Sequence, residues 1–193
     1  MEDSILEKAK KFACQKHQNQ KRPDGVTPFV EHLEGVVNRL KNLGIANNNI
    51  LSAAWLHDTI EKTDTTFEEI DSIFGNTISV LVLSLTKDKN LPKKKQESQY
   101  ISQLKNASKD SKIIKLCDAS SNLKDISKAP ISKNQKNKKV RKIFHYIRVM
   151  KKDLTEAKER YPKIQELMDG INSVGKEFRL RPIILENKPQ TVH

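Results

Sequence analysis

Helical periodicity runs through most of this 193-residue chain and constrains its fold more than any other feature. Apolar residues recur three and four positions apart, which is the spacing that lines one face of an α-helix. One such set is Val30, Leu33, Val36, Val37 and Leu40. Glycine and proline are concentrated in the connections, and sustained alternating runs are few. The sequence therefore predicts an all-α fold.

The pattern divides the chain into helical segments and polar connections. We expect helices over residues 3–19, 30–43, 48–62, 67–74, 77–86, 96–107, 111–126 and 140–159, with one more short helix after Pro162. The run 77–86 has the Val and Ile content of a strand, but its helical neighbours favour a buried helix. We also expect a flexible basic connection over 127–139, helix-capping side chains at 63–66 and disorder in the last residues.

Length and composition fit one cytoplasmic domain with its own core. The chain is 36% hydrophobic, yet no apolar run approaches the roughly 18 to 20 residues that span a bilayer. The N-terminal stretch MEDSILEKAKKF is charged throughout, unlike a secretory signal. Cys14 and Cys117 form no CxxC pattern and fit reduced core thiols. We therefore expect a cytoplasmic protein without a membrane segment.

The net charge of +12, from 36 Lys and Arg against 24 Asp and Glu, favours an anionic partner. Nucleic acid, a membrane surface and a phosphorylated small molecule all have the required charge. The basic runs KKKQ and KNKK have no interleaved aromatic residues to stack on bases, so a nucleic-acid face has little support without being excluded. A basic surface that is merely solvated remains an open alternative.

Polar side chains stand inside apolar helical segments at three separate places. They are His32, the adjacent pair His57 and Asp58, and Asp118. Burying such groups is costly unless something compensates them, and a metal ion is the usual compensation. Each alone has an ordinary explanation, such as a hydrogen-bonded buried histidine or an ion pair between Asp118 and Lys115. Together they indicate a divalent metal site, and their mixed nitrogen and oxygen donors suit manganese, iron or zinc.

Two further polar residues lie one helical turn from these candidates. Glu61 follows His57 and would orient or deprotonate a water that the metal ion activates. Asn122 follows Asp118 and would either bond a substrate hydroxyl or hold Asp118 in place. The arrangement predicts hydrolysis by a metal-activated water.

Four stretches carry a resemblance to a known family: TPFVEH, AWLHDTIEKTDTTFEEI, FGNTISVLVLSLTKDKNLPK and KIIKLCDASSNLKDI. They resemble the HD-domain hydrolases of guanosine tetraphosphate and pentaphosphate in the Rel/Spo homologue family, above all the stand-alone small alarmone hydrolases. The resemblance implies an HD-domain helical bundle with a metal site between helices. It implies a metal-dependent phosphohydrolase domain over 1–160 and a C-terminal helical extension and tail over 161–193. The short remainder predicts a hydrolase alone, without a synthetase-like domain.

The resemblance also implies the chemistry and the residues that perform it. In the family, two histidines and two aspartates hold one Mn²⁺ ion. The corresponding residues here are His32, His57, Asp58 and Asp118. We expect a guanosine nucleotide substrate whose 3′-pyrophosphate is cleaved through a metal-bound water, while other divalent metals and a homodimer stay open. Lys21 and Arg22 resemble the family's segment that contacts base and phosphate, and Asn122 resembles its substrate-side asparagine.

The pair Glu61-Lys62 departs from the family, which normally has Glu-Asp there and uses it to activate the water. We assign both residues to the catalytic machinery. An ammonium cannot accept a proton unless its pKa is depressed. Either Glu61 suffices and Lys62 turns toward a substrate phosphate, or the site hydrolyses its nucleotide poorly. A third interpretation leaves Lys62 in solvent and lets Asp64 compensate.

Two alternative functions stay open. One keeps the metal and changes the substrate to a 2′- or 3′-phosphorylated nucleotide such as NADPH. The other is a non-catalytic nucleotide sensor or a nucleic-acid-associated protein, which Lys62 and the net charge of +12 would support.

Overall fold

Residues 3–186 are described by the computed structural model, and they form ten α-helices with short connections. In chain order the helices are α1 (Ile5–Lys16), α2 (Phe29–Asn42), α3 (Asn48–Leu56), α4 (Thr59–Lys62), α5 (Phe67–Phe74), α6 (Asn76–Leu85), α7 (Lys93–Asn106), α8 (Lys109–Lys128), α9 (Lys133–Arg160) and α10 (Ile164–Glu177). Within this described part, the β-type pairing is one isolated antiparallel bridge between Lys21 and Pro28. The predicted all-α fold is confirmed. None of these helices is long and apolar enough to cross a membrane.

Local signals in the sequence set the ends of α5. The Thr66 hydroxyl accepts a hydrogen bond from the backbone N–H of Glu69 at 3.2 Å, which caps the helix as the segment 63–66 predicted. The helix ends at Phe74 and is followed by Gly75, whose φ of 82° favours a residue without a side chain. The apolar run that follows is the helix α6, as its neighbours predicted. The disorder expected for the last residues concerns a stretch outside the described part of the chain.

The predicted continuous helix over 48–62 is wrong, because α3 ends at Leu56 and α4 begins at Thr59. The Thr59 hydroxyl donates to the Leu56 carbonyl at 2.7 Å, and His57 Nδ1 donates to the Ala54 carbonyl at 2.8 Å. Side chains thus satisfy two carbonyls at the end of α3 that a continuing helix would have paired with backbone N–H groups. The His-Asp pair therefore lies in a turn between two helices.

The flexible basic connection predicted over 127–139 is also wrong, because the loop between α8 and α9 is confined to residues 129–132. The Ser132 hydroxyl accepts a hydrogen bond from the Gln135 N–H at 3.3 Å, and the Gln135 side chain accepts one from the Ser132 N–H at 3.0 Å. This reciprocal capping box starts α9 at Lys133, despite the solvated composition of the segment.

Helix α8 is the centre of the packing and contacts α2, α3, α6, α9 and α10. Its apolar side chains that are at most 2% exposed are Ile113, Ile114, Leu116, Cys117, Ala119 and Leu123. Helix α10 packs on α8 and α9 and adds Ile164, Met168 and Ile171 to the same core. The domain boundary expected near residue 160 remains a prediction. Because Asp118 lies in the middle of α8, the site around it is held by the best-packed helix.

Candidate metal centre

The four predicted ligands converge from three places in the chain. His32 lies near the start of α2, His57 and Asp58 lie in the turn after α3, and Asp118 lies in α8. One ligand atom each from His32, His57 and Asp118 lies within 4.8 Å of the other two. The Oδ2 atom of Asp58 is 3.4 Å from His57 Nε2 and 3.7 Å from His32 Nε2. His32, His57 and Asp118 therefore face one point, and the Asp58 carboxylate adjoins both imidazoles there.

The two imidazole rings turn their Nε2 atoms toward that point. His57 Nδ1 donates to the Ala54 carbonyl, and His32 Nδ1 is 3.1 Å from the Ser121 hydroxyl. Both residues are only 3% exposed, and their Nε2 atoms lie 3.2 and 3.6 Å from Asp118 Oδ1, yet within residues 3–186 neither atom makes a hydrogen bond of suitable geometry. A buried nitrogen without a partner costs free energy, so each such atom requires an explanation. A divalent cation held between the rings explains both atoms, and the donor set of two nitrogens and two carboxylates fits it.

The protonation of the carboxylates suits a cation. Burial alone would raise the pKa of Asp58, but His57 and Lys62 hold it well below its usual range. For Asp118, burial is likewise outweighed, mainly by Lys115, and its pKa falls well below the ordinary value. Both carboxyl groups are therefore ionised near neutral pH, which is the form that binds metal ions.

The two histidines differ in their electrostatic surroundings. Burial lowers the pKa of His32, which keeps this imidazole neutral near neutral pH. Burial also acts to lower the pKa of His57, but Asp58 and Asp118 outweigh it and the pKa is raised. The carboxylates thus attract a positive charge to the ring of His57, which a proton or a metal ion can supply.

Lys62 contacts a candidate ligand, although its side chain stays partly exposed to solvent. Its Nζ atom is 2.8 Å from Asp58 Oδ2, the same oxygen that faces the imidazoles, and lies 4.7 Å from the centre of the Phe29 ring. Asp64 does not compensate for it, because Asp64 is 86% exposed and pairs with Lys16 at 3.1 Å. The interpretation in which Asp64 compensates for Lys62 therefore does not describe this arrangement.

Asn122 holds Asp118 and links it to the loop before α2. Its Nδ2 atom donates to Asp118 Oδ1 at 2.6 Å, and its Oδ1 atom accepts from Arg22 at 2.8 Å. Arg22 is 7% exposed and forms an ion pair with Asp125 at 2.6 Å. Lys21 is exposed and lines a shallow groove beside this loop. Of the three residues assigned to the substrate, Arg22 and Asn122 therefore lie closest to the centre.

A cavity of about 330 Å³ adjoins these groups, and its lining includes Glu61, Lys62 and both candidate aspartates. The Oε2 atom of Glu61 accepts a hydrogen bond from the Lys87 backbone N–H at 3.2 Å. The lining also contains Lys115, which the sequence analysis paired with Asp118, and four residues that it did not single out: Lys87, Lys139, Lys142 and Tyr146. The signal that could have found part of this wall is the spacing of Lys139 and Lys142, which share a face once their segment is helical.

Comparisons with known proteins agree with this geometry. Residues 9–149 match a family model described as HD domain. Guanosine-3′,5′-bis(diphosphate) 3′-pyrophosphohydrolase MESH1 of Danio rerio is 41% identical over 128 residues, which cover 65% of this chain and 71% of the relative. The Homo sapiens protein of the same name is 39% identical over 130 residues, covering 66% and 72%. A solved structure of a metazoan orthologue of SpoT, described as hydrolysing ppGpp, is 25% identical with a TM-score of 0.78 and covers 90% of this chain and 96% of its own.

Proposed function

Because the chain belongs to the HD domain family and to the guanosine-3′,5′-bis(diphosphate) 3′-pyrophosphohydrolases named MESH1, we propose that it hydrolyses the 3′-pyrophosphate of that nucleotide. Water adds to the phosphorus atom attached to the ribose O3′, and the bond between that phosphorus and O3′ breaks. The products are pyrophosphate and a nucleotide with a free 3′-hydroxyl. The convergence of two buried imidazoles and two carboxylates on one point carries this proposal.

We propose that His32, His57, Asp58 and Asp118 hold one divalent cation, and that this ion is Mn²⁺. The mixed nitrogen and oxygen donors support manganese, with other divalent transition metals as alternatives. When bound, such an ion polarises a phosphoryl oxygen and lowers the pKa of a coordinated water toward neutrality. The hydrogen bonds from Asn122 to Asp118 and from His57 to the Ala54 carbonyl fix the orientation of two of these side chains.

Glu61 is proposed as the group that takes a proton from the attacking water. It lines the cavity beside Asp58 and Asp118, and the Lys87 N–H orients its carboxylate. Lys62 lines the same cavity, and we assign its ammonium to a substrate phosphate, since it cannot serve as the base. Arg22 lines the same cavity and positions Asn122, while Lys21 meets the nucleotide.

The cellular location and the partners of the protein belong to the same proposal. A cytoplasmic location is supported by Cys14 and Cys117, neither of which is in a disulfide. A homodimer stays a prediction. The reading as a nucleic-acid-associated protein is supported by the net charge of +12 alone.

The impaired-enzyme alternative is favoured by one specific observation, the ion pair between Lys62 and Asp58. The test is turnover of guanosine 3′,5′-bis(diphosphate) with Mn²⁺ by the wild type, by Asp118→Asn and by Lys62→Asp. We expect the wild type to release pyrophosphate and Asp118→Asn to be silent. A silent wild type with an active Lys62→Asp would support impairment instead. Faster release of phosphate from NADPH would support the alternative substrate.

A further inference from the structure

One part of the cavity wall has a concentration of ammonium groups. Lys87 follows α6, Lys115 lies in α8 and Lys142 lies in α9, so three separate elements bring these side chains together. The Nζ atoms of Lys87 and Lys115 lie 5.5 and 5.6 Å from the centre of the Tyr146 ring, and Lys142 Nζ lies 5.8 Å from it. Three cations therefore surround one aromatic side chain.

Two of these three ammonium groups are in ion pairs, and the third is not. Lys115 pairs with Asp118 at 2.8 Å, and Lys142 pairs with Glu97. Lys87 has no ion pair with any carboxylate in the described part of the chain; its Nζ atom lies instead 4.8 Å from the centre of the Tyr100 ring. Burial lowers the pKa of Lys87; the carboxylates of Glu61 and Glu97 act against this shift, and the like charges of Lys115 and Lys142 act with it. An anion placed here would relieve this repulsion.

The frame around these ammonium groups is rigid. The Tyr146 hydroxyl donates to Glu97 at 2.5 Å, and the Tyr100 hydroxyl donates to the Leu85 carbonyl at 3.1 Å. The Lys87 backbone is fixed to Glu61, the proposed base. Lys115 belongs to this cluster and pairs with Asp118, so the cluster adjoins the candidate metal centre. The cluster therefore forms a concave, positively charged surface in the cavity beside the candidate metal centre.

We propose that Lys87, Lys115 and Lys142 form a phosphoryl-anion subsite that binds the distal phosphoryl group of a 3′-pyrophosphate. The identity of this ligand rests on the proposed function. Phosphoryl oxygens accept several charge-assisted hydrogen bonds at once, which suits a group of ammonium donors. A nucleotide with a single phosphate at the same position has no group to place there. The subsite therefore selects pyrophosphorylated over monophosphorylated substrates.

The test is titration calorimetry of the full chain loaded with Mn²⁺, and inorganic pyrophosphate is the probe. Losing one charge-assisted contact costs on the order of 10- to 100-fold in affinity, and we expect that loss for Lys87→Met and for Lys142→Met. Lys138→Met is the matched control, because this exposed lysine on α9 does not line the cavity. It should bind pyrophosphate as the wild type does. Melting temperatures show that each variant is folded.

Two further measurements are the affinity for inorganic phosphate and the KM for nucleotide turnover. Affinity for phosphate should change little in Lys87→Met, and KM for the pyrophosphorylated nucleotide should rise while KM for its 3′-monophosphate analogue stays constant. Equal pyrophosphate affinity in folded Lys87→Met, Lys142→Met and wild type would overturn the subsite, as would equal losses for both nucleotides. If the wild type turns over no nucleotide but its pyrophosphate affinity depends on Lys87 and Lys142, the proposed function fails and the subsite stands.

Discussion

Replacing Lys62 by methionine should tighten the binding of a divalent cation. Lys62 Nζ lies 2.8 Å from Asp58 Oδ2, the oxygen that faces both imidazoles. Adding a metal–oxygen distance of about 2 Å places the ammonium no more than about 5 Å from a cation on that oxygen. Coulomb's law with the dielectric constant of water then gives a repulsion of about 1.7 kcal/mol between a double and a single charge. The side chain of Lys62 is 36% exposed, so we keep this solvent-screened value.

The expected result is about 10- to 20-fold tighter Mn²⁺ binding in Lys62→Met, since about 1.4 kcal/mol corresponds to a factor of ten. Titration calorimetry at low ionic strength measures it. Lys16→Met is the control, because it removes a lysine that pairs with Asp64 and Glu69 and touches none of the candidate ligands. If Lys62→Met binds Mn²⁺ no more tightly than Lys16→Met, the ammonium does not compete with the cation and the reasoning is refuted.

Two other predictions concern stability. Gly175→Ala should lower the free energy of unfolding by about 1–3 kcal/mol, because its Cβ would lie 2.2 Å from the buried Phe144 ring. In the control Gly170→Ala the Cβ would have nothing within 4 Å, so the free energy of unfolding should rise by up to about 1 kcal/mol. Chemical unfolding measures both changes. Unchanged Gly175→Ala stability would contradict this packing. The Asp24 carboxylate accepts hydrogen bonds from Thr27 and Val26, which lower its pKa to about 2. The stability that these bonds contribute is fully present above about pH 4 and is lost as the pH falls through about 2. The melting temperatures of wild type and Asp24→Asn should therefore converge at that pH.

The sequence predicted the fold class well because the helices bury periodic apolar faces. Helix α6 illustrates this: its Val and Ile content favours a strand, yet Ile78, Leu81, Val82 and Leu85 are buried at helical spacing. Connections were harder to predict. The segment 127–139 has the composition of a solvated loop, and the Ser132 and Gln135 side chains that start α9 there act through local hydrogen bonds, which composition does not report.

The candidate ligands could be proposed from the sequence because each is a polar residue in an apolar segment, where burial without a partner is costly. The contacts between them could not. That Lys62 reaches Asp58 Oδ2 depends on the turn after α3, which the helical pattern conceals. The lysine wall depends on the packing of α6, α8 and α9, since Lys87 and Lys142 are far apart in the sequence and come together only in the folded chain.

The central claim is that two imidazoles and two carboxylates hold one divalent cation, and pulsed electron paramagnetic resonance of bound Mn²⁺ tests it most directly. The account predicts one ion per chain with hyperfine coupling to two imidazole nitrogens, those of His32 and His57. In His57→Gln one coupling should disappear while the protein stays folded. Bound Mn²⁺ without nitrogen coupling, or with the same spectrum in wild type and His57→Gln, would contradict the claim.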